Sequence, residues 1–159
     1  MWQEYAKKRR MMPVRENDVK EQAWQDNQNK KDYLNGYLAA KRKEKMTLDQ
    51  IQQLRLNEMC PSVKYDDMPH GSNITDMSGY AVKMDELMEE LERDRLNAIE
   101  KYTEIYHKIK LVEDEREQEI LTYRYLLGES WEVICGIMGL KWTHTHRIHA
   151  KALKNFKMV

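Results

Sequence analysis

Seven side chains near the C terminus carry groups that can read or grip a nucleic acid: Lys141, Trp142, Thr143, His146, Arg147, Lys151 and Lys154. Arg147 can donate two parallel hydrogen bonds to guanine O6 and N7. Thr143 and His146 can bond to base edges or phosphate, and Trp142 can pack on a thymine methyl or a sugar. Lys141, Lys151 and Lys154 suit phosphates, which gives affinity and salt dependence without base preference. All seven lie in residues 138–156, MGLKWTHTHRIHAKALKNF, a segment with no acidic residue in a chain of 27 basic and 27 acidic residues. A local cationic face of this kind attracts polyanions.

The elements that must position these groups read as a helix-turn-helix. Ser130 can cap a first helix over SWEVICGIMGL, with Glu132 adding negative charge near the positive end of its dipole. Ile134 and Met138 share a face, and Cys135 is small enough for close helix crossing. Gly139 supplies the left-handed residue that ends the helix, with Leu140 tucked behind it. In the second helix Thr145, Ile148 and Ala152 are spaced to face the first, which turns Trp142, Thr143, His146, Arg147 and Lys151 outward. Upstream, EREQEILTYRYLLGES puts Ile120, Leu121, Arg124 and Leu127 on one stripe that ends at Gly128, the pattern of a support helix. Arg124 needs a partner there, and Glu132 is the expected one.

The run from about Glu113 to Phe156 resembles region four of bacterial sigma factors, through TYRYLLGESWEVICGIMGL and RIHAKALKNF. Residues from about Asp32 onward are also similar to a phage and prophage family of uncharacterised domain. That family joins a helical arm carrying a PHGS loop (Pro69, His70, Gly71, Ser72) to a sigma-like C-terminal unit, and is akin to late-gene transcription activators of the autolysin-regulator type. The resemblance implies DNA contacts at Trp142, Thr143, His146 and Arg147, and contact with RNA polymerase. Lys141 departs from the Ser or Thr cap usual in sigma-like sequences, which moves the expected helix start toward Thr143. Thr145 replaces a larger aliphatic residue. No counterpart of the sigma regions that melt DNA or hold core polymerase is present, so promoter opening by this chain alone is not expected.

The preceding residues read as an arm. Tyr80, Met84, Leu87, Leu91, Ala98, Tyr102, Ile105, Ile109 and Val112 recur mostly at three and four, the signature of one long amphipathic helix whose seam Asp94 interrupts. Tyr33, Tyr37, Ala40, Leu48, Ile51 and Leu54 sketch a second helix of about 26 residues, or about 39 Å at about 1.5 Å per residue. Residues 59–79 between them, with two prolines and two glycines, read as a loop that reverses the chain. The expected organisation is all-α: a flexible basic and polar extension over residues 1–30, a coiled-coil-like hairpin over 31–111, and a helix-turn-helix unit over 112–159. A lone two-helix arm is marginal, so a homodimer through the arms is expected. Residues 84–119 carry thirteen acidic against six basic side chains, a face that repels DNA.

Composition narrows the function classes. Cys60 and Cys135 share no metal-ligand spacing, and the chain has no apolar run long enough for a membrane span or a signal peptide. A cytoplasmic protein without cofactor is therefore expected. His144, His146 and His149 cluster, but residues two apart on a helix point apart, so they read as DNA contacts that bind better when protonated near about pH 6.5. No phosphate loop, activated nucleophile or two-metal carboxylate set occurs, which makes an enzyme the least expected class. Two classes of function follow: a DNA-binding transcription regulator, or a packaging subunit of the small-terminase kind or other structural helical subunit.

Overall fold

The computed structural model describes residues 16–59 and 74–158. Among them the fold is all-α, in six helices: α1 (Glu16–Leu34), α2 (Gly36–Met59), α3 (Ile74–Lys110), α4 (Glu115–Leu121), α5 (Trp131–Met138) and α6 (Trp142–Asn155). The basic run Lys7 to Arg10, Cys60 and the PHGS loop lie outside the described residues.

The hairpin forms from α2 and α3, and most of its inner seam follows the spacing; Tyr102 departs from it, 40% exposed at the edge, while Glu44 and Thr47 are buried at positions the spacing did not name. Ala40 and Ile51 of α2 meet Leu91 and Ala98 of α3, all buried. Asp94 does not break this seam. Its carboxylate accepts from Lys43 Nζ at 2.7 Å and from the Thr47 hydroxyl at 2.9 Å, and Glu44 holds Arg95 one turn away. Lys43 and Thr47 keep the Asp94 carboxyl below the usual carboxylate range, against the burial that would raise it. Lys43 also reaches Glu90 at 3.3 Å, so these polar ties cross from α2 to α3 at two successive turns.

Three boundaries differ from expectation. Within the N-terminal extension, α1 is helical from Glu16 and continues through Asn35 into α2, with backbone bonds Asn35 N to Lys31 O and Ala39 N to Asn35 O carrying the ladder across the bend. The flanking helices reach into the span 59–79, since α2 includes Met59 and α3 starts at Ile74. The support helix is not uniform either. After α4, residues Thr122–Leu126 form a π-helical turn, closed by Leu127 N to Thr122 O. Its extra residue rotates the register, so Tyr125 and Leu126 enter the core while Leu127 faces solvent and Arg124 moves to the rim.

One core joins the arm to the C-terminal unit. Leu34 of α1, Ile105 and Ile109 of α3 and Val112 pack with Ile120, Leu121, Ile134, Leu153 and Phe156 as one buried cluster. Polar ties reinforce it: Lys30 Nζ donates to Leu153 O at 3.0 Å, and Lys108 Nζ to Met158 O at 2.6 Å. No helix among the described residues is long and apolar enough to cross a membrane.

Candidate nucleic-acid interface

The turn between α5 and α6 follows its sequence closely. The Ser130 hydroxyl accepts from Val133 N at 3.4 Å and caps α5. Gly139 sits at φ 63°, ψ 29°, and Leu140 N reaches back to Cys135 O at 3.0 Å, which closes the helix end in a Schellman-type turn. Cys135 Sγ lies 3.2 Å from Thr145 Oγ1, so the small pair lets α5 and α6 cross closely. A larger aliphatic residue at 145 would have to displace that contact. Helix α6 starts at Trp142 and not at Thr143; Lys141 takes the cap position with extended backbone and no side-chain cap bond.

Helix α6 is divided lengthwise. Thr145, His149, Ala152 and Leu153 are buried, and Ile148 packs on the same core. Thr143, Arg147, Ala150 and Lys154 are exposed on the opposite side, and Trp142 is 49% exposed at the helix start. Lys141 is exposed beside it. Arg147 is steadied by the neighbouring turn, with Nη2 3.4 Å from His144 Nδ1. Ala150 is absent from the sequence-level set because it carries no polar group; its exposure at the centre of the outer face, where a methyl can touch thymine, is visible only once the inward side is known.

Two of the expected outward residues have inward jobs. His146 is half-buried, its ring 4.4 Å from Trp131 and 4.7 Å from Trp142, and its Nε2 is buried without a hydrogen-bond partner among the described residues. Lys151 is exposed along its stem, but Nζ lies 2.7 Å from Glu117 Oε1 and 3.3 Å from Asp114 Oδ2. Glu117 is fully buried, and its other oxygen accepts from Asn155 Nδ2 at 2.8 Å. The Glu117 and Asp114 carboxylates raise the Lys151 pKa and keep it charged. Asp114 meanwhile caps α4 through Arg116 N and Glu117 N. A lysine held this way is committed to orienting α6 on α4, so it has less reach toward phosphate than Lys141 or Lys154.

The histidine cluster also divides. His149 is buried against Tyr125, with Nε2 3.0 Å from the Tyr125 hydroxyl, and stands edge-on to Trp131. Burial pulls His149 down to about 4, aided by Lys31 and other nearby cations, and pushes Tyr125 up to about 12. At neutral pH both are therefore uncharged, and Tyr125 keeps a proton to donate. Protonation near pH 6.5 is thus excluded for His149, which makes it no part of a pH-dependent DNA contact. No group of three His, Cys, Asp or Glu side chains converges among the described residues.

Arg124 finds different partners from the one expected. It donates to Glu129 O at 2.9 Å and lies 4.9 Å from the Trp131 ring centroid, a cation–π contact. Glu132 is instead held below the usual carboxylate range by its own backbone N–H and the Ser130 hydroxyl, with Arg124 contributing only at longer range. The π-turn causes the change, since it lifts Arg124 over the indole. No protein-family model, curated protein or solved structure matches this chain.

Proposed function

We propose that this chain is a transcription regulator of phage or prophage origin that acts by binding promoter DNA in the bacterial cytoplasm, without catalysis. The supporting observation is the lengthwise division of α6: a sealed side of Thr145, His149, Ala152 and Leu153, and an open side bearing Arg147, Thr143 and Lys154 with no carboxylate on the helix. Arg147 is the base reader, and Lys141 and Lys154 are phosphate contacts. The uncapped first turn of α6 offers backbone N–H groups to a further phosphate. The sigma-like order of α4, α5 and α6 makes RNA polymerase the second partner, and the arm is where two copies meet.

Fluorescence anisotropy on duplex DNA tests this reading, using fragments selected from host and phage genomes. Arg147→Ala is expected to cost about 1–3 kcal/mol on the selected site and to blur preference at one base pair. Lys154→Ala is expected to weaken selected and random duplexes alike and to lower the salt slope by about 1. Equal losses for Arg147→Ala on both duplexes reject base reading, and no binding at low salt rejects the proposal as a whole. A ring of eight or more chains would point instead to packaging.

A further inference from the structure

The hairpin uses one face of α3 and leaves a second seam uncovered. Met88, Glu92, Arg95, Ile99, Tyr102 and Tyr106 follow one another in alternating steps of four and three, the spacing of a coiled-coil contact line; its open part runs from Met88 to Ile99, since Tyr102 stands edge-on to Tyr37 and Tyr106 packs partly on the core. Met88, Ile99 and Tyr102 are 47%, 62% and 40% exposed, high values for apolar side chains in a row. Arg95 meets Glu44 through Nε only, and its side chain is 52% exposed. The seam borders an open groove of about 400 Å³, floored by Ala98 and Ile99 and walled on the α2 side by Tyr37 and Lys41.

The order of residues along this seam is self-complementary when reversed. About the midpoint of Glu92 and Arg95, reversal pairs Glu92 with Arg95, Met88 with Ile99, Asp85 with Tyr102 and Ala81 with Tyr106. The central pairs are complementary: acid with base, apolar with apolar, and a carboxylate opposite a phenol. A parallel pairing would set Glu92 on Glu92 and Arg95 on Arg95, and like charges face to face oppose association.

We propose that the occupant of this face is a second copy of the chain, with the two α3 helices antiparallel and Glu92 paired with Arg95 across the twofold axis. The inference rests on the meeting of arms just proposed and not on DNA reading. The seam from residue 81 to 106 is roughly 38 Å long at about 1.5 Å per residue, and the four helices form an intermolecular bundle.

Sedimentation analysis of the full chain is the test. Wild type is expected at twice the 19.2 kDa of one chain. Glu92→Arg and Arg95→Glu, alone, each place like charges across the axis and are expected at the mass of a single chain. Their equimolar mixture restores opposite charges in both pairs and is expected to return to twice that mass. Arg95→Glu also loses its Glu44 partner, so Ile99→Glu serves as an independent probe: single-chain mass with an unchanged helical circular dichroism spectrum. A wild type of single-chain mass overturns both this inference and the meeting of arms. A dimer that survives Glu92→Arg and Ile99→Glu overturns the seam alone and leaves arm pairing intact.

Discussion

Lys151 illustrates how a cation on the helix proposed to face DNA can be structural. Its ammonium neutralises Glu117, a carboxylate with no solvent contact, and it bridges to the cap of α4 at Asp114. Removing the lysine leaves the buried Glu117 carboxylate without its cation. Lys151→Ala should therefore lower the urea midpoint while leaving the salt slope of DNA binding unchanged, the opposite of Lys154→Ala; denaturation curves and binding isotherms separate the two. His149 makes a second prediction at this scale. Its folded pKa of about 4 lies below the unfolded value of about 6.5, so the unfolded chain takes up the proton first. The stability it contributes is present above pH 6.5 and lost as pH falls toward 4, by about 2–3 kcal/mol. Urea midpoints measured from pH 7 to 4.5 should show this slope, and His149→Phe should flatten it. Spacing alone placed Thr145 and Ala152 inward correctly. It could not place His146, His149 or Lys151, because their partners Trp131, Tyr125 and Glu117 come from other elements and impose no local periodicity.

Among the elements, the α5–α6 turn was legible except for the first residue of α6, through a hydroxyl cap, a helical face and a glycine where the chain must turn left-handed. Nothing lies within 4 Å of a Cβ built on Gly139, so the cost of a side chain there is conformational only. Gly139→Ala is expected to destabilise the fold by about 1 kcal/mol, read as a lower thermal midpoint with DNA contacts intact. Gly128 differs, since its φ of 74° is accompanied by Leu38 Cδ2 at 3.3 Å, and an alanine there meets strain and crowding together. The seam of the hairpin was legible too, because steps of three and four persist over nine turns or so of α3. The π-turn at Thr122–Leu126 was not. It inserts one residue without a glycine or proline to mark it, and every reading of Arg124 and Leu127 that assumed an uninterrupted helix inherited the shift. Likewise α1 is mostly polar, and only its last turns, with Leu34 buried and Tyr33 hydrogen bonded to Glu104, find a core. Polar sequence of that kind gives no amphipathic signal to read.

At the scale of the whole molecule, the C-terminal unit and the arm share one interior. Phe156, the last buried residue, packs with Leu34 and with Ile105 and Ile109, and the aromatic faces of Tyr33 and Phe156 approach to 6.1 Å. Truncation before Phe156 should therefore loosen the arm as well as α6, a loss visible as increased amide exchange in α1 and the C-terminal part of α3. This continuity has a consequence for the spacing of paired sites on DNA. Because shaft and head share one core, two copies joined by their shafts as proposed would act as a caliper. Inserting five base pairs between half-sites, about half a helical turn, should abolish joint occupancy, and the fixed jaws would make no accommodation by swivelling.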